Sequence, residues 1–387
     1  MEPSDGLSLV VFYLGAFLMP LAAARVKVPA AVAEIVYGLA VSALAITQET
    51  AGTHFIAELG FIYLMFLVGM EIDFNRIERE GARTILIASL VALLILGGGV
   101  GVVGLLEMPI FMALVLGAMS VGVLLVSLVE VGASRSRWGQ MLLLVGSVGE
   151  LFSLLALALY DLIATHGVSG ELALSILDAM LLFLVAFVLL ASLRLLVWWF
   201  PHSFHRWVRE EDPSELGVRF GFVLMLGLAT LSASAELEPI LGAFLAGMLF
   251  AYVFRETGLL ATKLVALGQG FFVPIFFINV GVTFDWAALG DPSALAKTVL
   301  ALAGLTLLVR LVPALLLVTL GIPLRAVVAG AFLLATPLTL LVAIAALGRE
   351  TGVLDPGTSA SVILLAIVSG VLFPTVFKRL APRGPVD

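Results

Sequence analysis

The chain has no cysteine among its 387 residues, and Asp, Glu, Lys and Arg together make up only 12% of it. The first absence excludes disulfides and thiolate metal sites and leaves the redox compartment unread. The second excludes an ordinary soluble domain, where roughly a quarter of the residues are charged. No loop carries a glycine-rich nucleotide motif, a nucleophile triad or a metal-hydrolase pattern. The four histidines, His54, His166, His202 and His205, fall in loops without metal-ligand spacing. No enzyme, resident cofactor or nucleic-acid partner is expected.

What is present is apolar sequence: 62% of the residues are hydrophobic. The apolar runs are about 17 to 28 residues long, enough for a helix to cross a ~30 Å hydrocarbon layer. They lack the period-2 alternation of barrel strands. The expected fold is an all-α integral membrane protein with about 13 transmembrane helices in a single domain, residues 1–387. The spans are read at 7–24, 28–46, 54–72, 84–106, 109–130, 139–163, 172–200, 217–235, 239–254, 264–284, 296–320, 325–347 and 358–377. The opening MEPSDGLSLVVFYLGAF has no basic leader region and is taken as the first span, not a signal peptide. With the N-terminus outside, most basic loop residues fall on the cytoplasmic side, among them Arg25, Lys27, Arg135, Arg137, Arg325 and Lys378, while Lys297 and Arg349 fall outside. The positive-inside rule therefore predicts an N-out, C-in protein.

The two halves echo each other. Pairing Pro29 with Pro239, Gly69 with Gly281, Pro109 with Pro323 and Gly117 with Gly330 gives offsets of 210, 212, 214 and 213 residues. Two spans and a polar linker (PHSFHRWVREEDPSELG) intervene, so the second unit enters the membrane from the opposite side. The expected organisation is a first five-helix repeat at 28–163, connecting spans and linker at 164–238, and an inverted second repeat at 239–377. In such a fold the ion or substrate site lies near the midplane, between discontinuous helices. The candidates for the breaks are Gly117-Ala118-Met119-Ser120-Val121-Gly122 and Ala335-Thr336-Pro337-Leu338-Thr339, since glycine tolerates unwinding and proline removes a backbone donor.

One carboxylate stands out. Glu150 sits near the centre of MLLLVGSVGELFSLLALALY, where an acidic residue costs roughly 3 kcal/mol on insertion scales and marks a functional site by default. Ser147 and Ser153 share its helix face. Arg310, in LTLLVRLVPALLL, is a second mid-membrane charge. The reading from the residues makes Glu150 the centre of the midplane ion or substrate site. Ser120 and Ser147 are candidate ligands, with carbonyls freed by the break. Arg310, Met119, Gly149, Thr336 and Pro337 support the site. An ion pair between Glu150 and Arg310 that locks the bundle is the plain alternative. Glu34, Glu58, Glu71, Asp73 and Asp285 are expected to be structural, and Asp161 interfacial.

Several segments resemble the monovalent cation/proton antiporter family, in the branch of Kef-type and sodium/proton exchangers. They are FIAELGFIYLMFLVGMEID (55–73), GAFLAG (242–247), PIFFINVG (274–281) and GAMSVGVLLVSLVEVG, and the resemblance covers nearly the whole chain. In that family the sixth span carries an acidic pair, Asp-Asp or Asn-Asp, whose second member binds cation and proton in turn; here the pair reads Gly149-Glu150. The family's basic residue of the eleventh span matches Arg310. The resemblance implies a homodimer in a bacterial inner membrane that exchanges Na⁺ or K⁺ for H⁺ by alternating access. One carboxylate beside an arginine that does not release its proton predicts an electroneutral one-for-one exchange. The alternatives are a ligand-gated potassium efflux system, whose nucleotide-binding domain is not expected in a chain ending at Asp387, a sodium-coupled organic anion symporter on a similar fold, and a non-transporting sensor.

Overall fold

The computed structural model describes residues 3–72, 81–166, scattered positions between 177 and 199, 214–235, 237–254, 258–286 and 292–382. The seventh span and nearly all of the polar linker, with Arg194, His202 and His205, lie largely or wholly outside the described residues, as does Asp73. Every regular element among the described residues is helical, and ten helices are long and apolar enough to cross a membrane. The helices are α1 (Pro3–Val26), α2 (Ala30–Ala43), α3 (Ala51–Met70), α4 (Ala82–Leu105), α5 (Met112–Gly117), α6 (Gly122–Glu130), α7 (Arg137–His166), α8 (Leu216–Ser234), α9 (Pro239–Val253), α10 (Gly258–Leu267), α11 (Val273–Val282), α12 (Pro292–Ala314), α13 (Leu324–Leu334), α14 (Leu338–Glu350) and α15 (Pro356–Leu380).

Both expected breaks are present. The fifth span is the pair α5 and α6, separated by Ala118–Val121, and the twelfth is the pair α13 and α14, separated by Ala335–Pro337. Two further irregularities lie beside prolines. Pro313 ends regular α-helix in the eleventh span, and the chain continues as a tighter 3-10 segment, Leu315–Leu320. In the tenth span a π turn at Gly268–Phe272 joins α10 to α11 just ahead of Pro274. The Tyr63 hydroxyl donates to the Leu264 carbonyl at 2.9 Å, one turn before that widening.

The chain folds as two compact units. The first comprises Met1–Ala51, Arg76–Leu157 and Phe277–Asp387; the second comprises Gly52–Asn75 and Ala158–Phe276. In the first unit a core of α4, α6, α7, α12 and α13 packs Val91, Ile95, Leu124, Leu142, Val145, Val309 and Leu333. Its ends are clasped by polar contacts: Glu130 pairs with Lys378, Arg137 donates to the Leu320 carbonyl at 3.1 Å, and Arg325 donates to the Leu380 carbonyl at 2.9 Å. Trp138 is buried beside Phe377.

Each unit also contains a close crossing of two helices at paired glycines. In the first, α2 meets α11, and a Cβ on Gly38 would strike the Ile278 carbonyl and lie 2.9 Å from the Gly281 Cα. In the second, α3 meets α9, and a Cβ on Gly247 would strike the Phe66 carbonyl and lie 3.0 Å from the Gly69 Cα. Neither obstacle is a flexible side-chain end, so only glycine lets these backbones approach so closely.

Candidate functional site

The site lies in the first unit, where the breaks of the fifth and twelfth spans meet α7 and α12. Ala118 turns the chain out of α5 into an extended conformation (φ −53°, ψ 136°), and Met119, Ser120 and Val121 follow before α6 begins. Ala335, Thr336 and Pro337 separate α13 from α14, with Ala335 at φ −83°, ψ 16° and Pro337 at φ −81°, ψ 55°. Unwinding leaves carbonyls without amide partners at the end of the first half-helix and amides without acceptors at the start of the second. It also leaves a partial negative charge at the former and a partial positive charge at the latter.

Side chains of the matching sign meet these ends. Arg310, fully buried on α12, donates from Nε to the Leu334 carbonyl at 2.9 Å and from Nη1 to the Leu116 and Thr306 carbonyls at 2.7 Å each. Its Nη2 donates to the Ala118 carbonyl. One guanidinium thus joins the C-terminal ends of α5 and α13. The locked ion pair weighed from the sequence is not what holds Arg310, because the acceptors it engages are carbonyls. The fork of N–H donors suits several oxygens that lie in different directions.

The carboxylate takes the opposite pole. Glu150, 1% exposed on α7, accepts from the Val121 amide at 3.3 Å, at the start of α6. The Met119 amide donates to Ser153 Oγ at 3.2 Å, and that hydroxyl donates to the Gly149 carbonyl at 2.7 Å. Two consecutive turns of α7 therefore hold the unwound segment in register with Glu150.

The remaining candidates divide. Ser120 is buried, and its hydroxyl lies 2.9 Å from that of Thr339, in the first turn of α14, linking the two breaks side chain to side chain. Thr336 is fully buried and donates to the Leu333 carbonyl at 2.6 Å, a local backbone bond of the kind threonine makes at helix ends. Ser147 is buried one turn before Glu150, and among the described residues it makes no hydrogen bond to either break. Gly149 and Met119 form a matched pair: a Cβ at 149 would come 2.5 Å from the Met119 sulfur, so the methionine fills the room a larger residue would need. Thr339 and the bridging role of Ser153 escaped the sequence reading. The Thr-Pro-Leu-Thr sequence was the available signal for Thr339, but the partner lies 219 residues away. Glu34 is buried on α2, outside this cluster of contacts.

A family model described as "sodium/hydrogen exchanger, transmembrane" matches residues 13–382. The chain is 32% identical over 399 residues to the putative Na⁺/H⁺ antiporter YjbQ of Bacillus subtilis, covering 97% of this chain and 63% of that protein. It is 28% identical over 394 residues to the putative K⁺ efflux antiporter KefB of Alkalimonas amylolytica, covering 95% of this chain and 56% of that protein. The chain thus spans rather over half the length of both relatives. In fold it matches the sodium proton antiporter MjNhaP1 of Methanocaldococcus jannaschii, with a TM-score of 0.68, 15% identity and 97% of each chain covered.

Proposed function

We infer that this chain, which belongs to the transmembrane sodium/hydrogen exchanger family, exchanges a monovalent cation for a proton with Glu150 as the shared site. The observation that carries the reading is the placement of Glu150: a nearly fully buried carboxylate, in the middle of an apolar helix, bonded to the amide at the end of an unwound segment, where α6 begins. A proton and a cation each neutralise that charge, so they compete for one group, and the occupant crosses by alternating access. Arg310 stays charged through the cycle and balances the carbonyl ends of α5 and α13. With one exchanging carboxylate, one cation moves per proton and the exchange is electroneutral. The transported ions are the only small ligands this scheme needs.

The same reading includes the inverted repeats, and the glycine crossings support them. Gly38 and Gly247 are 209 residues apart, and Gly69 and Gly281 are 212 apart. The carbonyls they face, Ile278 against Phe66 and Ile35 against Phe244, repeat the same offsets. We place the protein as a homodimer in a bacterial inner membrane with the N-terminus outside. The bias of basic loop residues supports the orientation.

The test is cation-driven proton movement in proteoliposomes with Na⁺, K⁺ and Li⁺ in turn, for the wild type and Glu150→Gln, free and under a clamped membrane potential. The expected result is flux that falls at least a hundredfold in the variant and does not respond to voltage. Flux that persists in Glu150→Gln moves the site elsewhere. Voltage-dependent flux refutes the one-for-one stoichiometry.

A further inference from the structure

We propose that Thr339 is the second hydroxyl ligand of the cation site, and that its pairing with Ser120 biases the site toward Na⁺ and Li⁺ over K⁺. The proposal rests on the exchange reading above and extends it to a residue on the second broken helix.

An unwound membrane helix ordinarily offers its freed carbonyls to a bound cation. Here the carbonyls of Leu116, Ala118 and Leu334 are engaged by Arg310. A cation beside Glu150 therefore draws less on these carbonyls and more on side-chain hydroxyls. Ser120 stands next to Val121, whose amide holds the carboxylate, and its hydroxyl meets that of Thr339 at 2.9 Å.

A hydroxyl has one donor and two lone pairs, and its hydrogen turns freely about the C–O bond. In the ion-free site one hydroxyl donates to the other, which satisfies the pair. When a cation arrives, both hydrogens rotate away and two lone pairs face the ion with little movement of heavy atoms. Ser120 is buried, whereas Thr339 is partly exposed.

The spacing carries the selectivity. Two oxygens at right angles about an ion with bonds of about 2.4 Å, the length typical of a cation the size of Ca²⁺, stand about 3.4 Å apart. Na⁺ is of similar size, so the observed 2.9 Å separation needs to open only slightly for it. K⁺ requires a wider opening, which would push apart the two broken helices that Arg310 ties together.

The experiment measures the KM for Na⁺, Li⁺ and K⁺ in wild-type, Thr339→Val and Thr339→Ser proteoliposomes, with Glu150→Gln alongside. The wild type is expected to prefer Na⁺ and Li⁺. Thr339→Val is expected to raise the Na⁺ KM about tenfold and bring the Na⁺/K⁺ ratio toward unity, while Thr339→Ser keeps both. A wild type that prefers K⁺ overturns the proposal. So does a Thr339→Val protein that loses maximal rate equally for all cations at unchanged KM, which would make the residue a mere tie between helices. If Thr339→Val does not fold, Thr339→Ala and Ser120→Ala read the same ratio and must shift it in the same direction. A silent Glu150→Gln with wild-type KM values in Thr339→Val defeats only this inference; an active Glu150→Gln defeats the exchange reading as well.

Discussion

The two broken spans are alike in frame and unlike in charge. Both halves of each span are short, both breaks fall beside Arg310, and both surrender carbonyls to it. At the start of α6, however, the Val121 amide finds the Glu150 carboxylate, whereas the start of α14 is turned by Pro337 and carries no side-chain cap. The first break is opened by extended backbone at Ala118 and stitched to α7 through Ser153; the second is opened by a proline that supplies no amide. The comparison teaches that the frame is paired but the chemistry is not. A single buried carboxylate distinguishes one of two similar openings.

This contrast can be broken most severely at the residue both halves share. Arg310→Ala leaves the three buried helix-end carbonyls of Leu116, Ala118 and Leu334 without this donor, and is expected to cost about 3–5 kcal/mol, since each buried acceptor left unsatisfied costs about 1–3 kcal/mol. Thermal melting in detergent checks it, and a variant that melts like the wild type would mean the guanidinium is not what joins the breaks.

A subtler change sharpens what is particular to the first break. Gly149→Ala pushes a methyl into Met119, with an expected loss of about 1–3 kcal/mol from overpacking. Adding Met119→Ala should recover part of that loss, because two residues in contact do not act additively. Equal melting losses for the single and double variants would show that the methionine is not the obstacle.

The smallest effect comes from an ordinary cap, as a reference for the helix starts in the site. Asp355 caps α15 by accepting from the Gly357 and Thr358 amides at 3.0 and 3.1 Å. Asp355→Ala should cost about 1 kcal/mol. The hydrogen bonds from the Thr358 side chain and amide hold the Asp355 carboxyl below its usual range. The cap's contribution is therefore present above about pH 4, the ordinary aspartate range, and is lost as the pH falls through the depressed value. Melting curves of wild type and Asp355→Ala that fail to converge in acid would contradict this assignment.

Much of this was legible in the residues. Apolar runs of membrane-crossing length fix helices, and glycine and proline in the middle of such runs mark breaks, because these are local consequences of hydration and backbone geometry. Glu150 and Arg310 announced themselves by the cost of burying a charge. What each charge bonds to was not legible. Arg310 reaches carbonyls 192 and 194 residues away, and Ser120 meets Thr339 across 219 residues. The π turn at Gly268–Phe272 was equally silent, since nothing in mean hydropathy distinguishes a widened turn from a regular one.

By itself, then, the sequence determined that this is a helical membrane protein of the exchanger type, with two interrupted spans and a carboxylate, Glu150, at the centre of an apolar run. Those features depend on residue type and spacing along one helix. The tertiary structure alone decided that the arginine serves carbonyls, that Met119 occupies the room beside Gly149, and that the hydroxyls of Ser120 and Thr339 meet. Each of these depends on how close separate helices come, and that distance is set by packing across the fold.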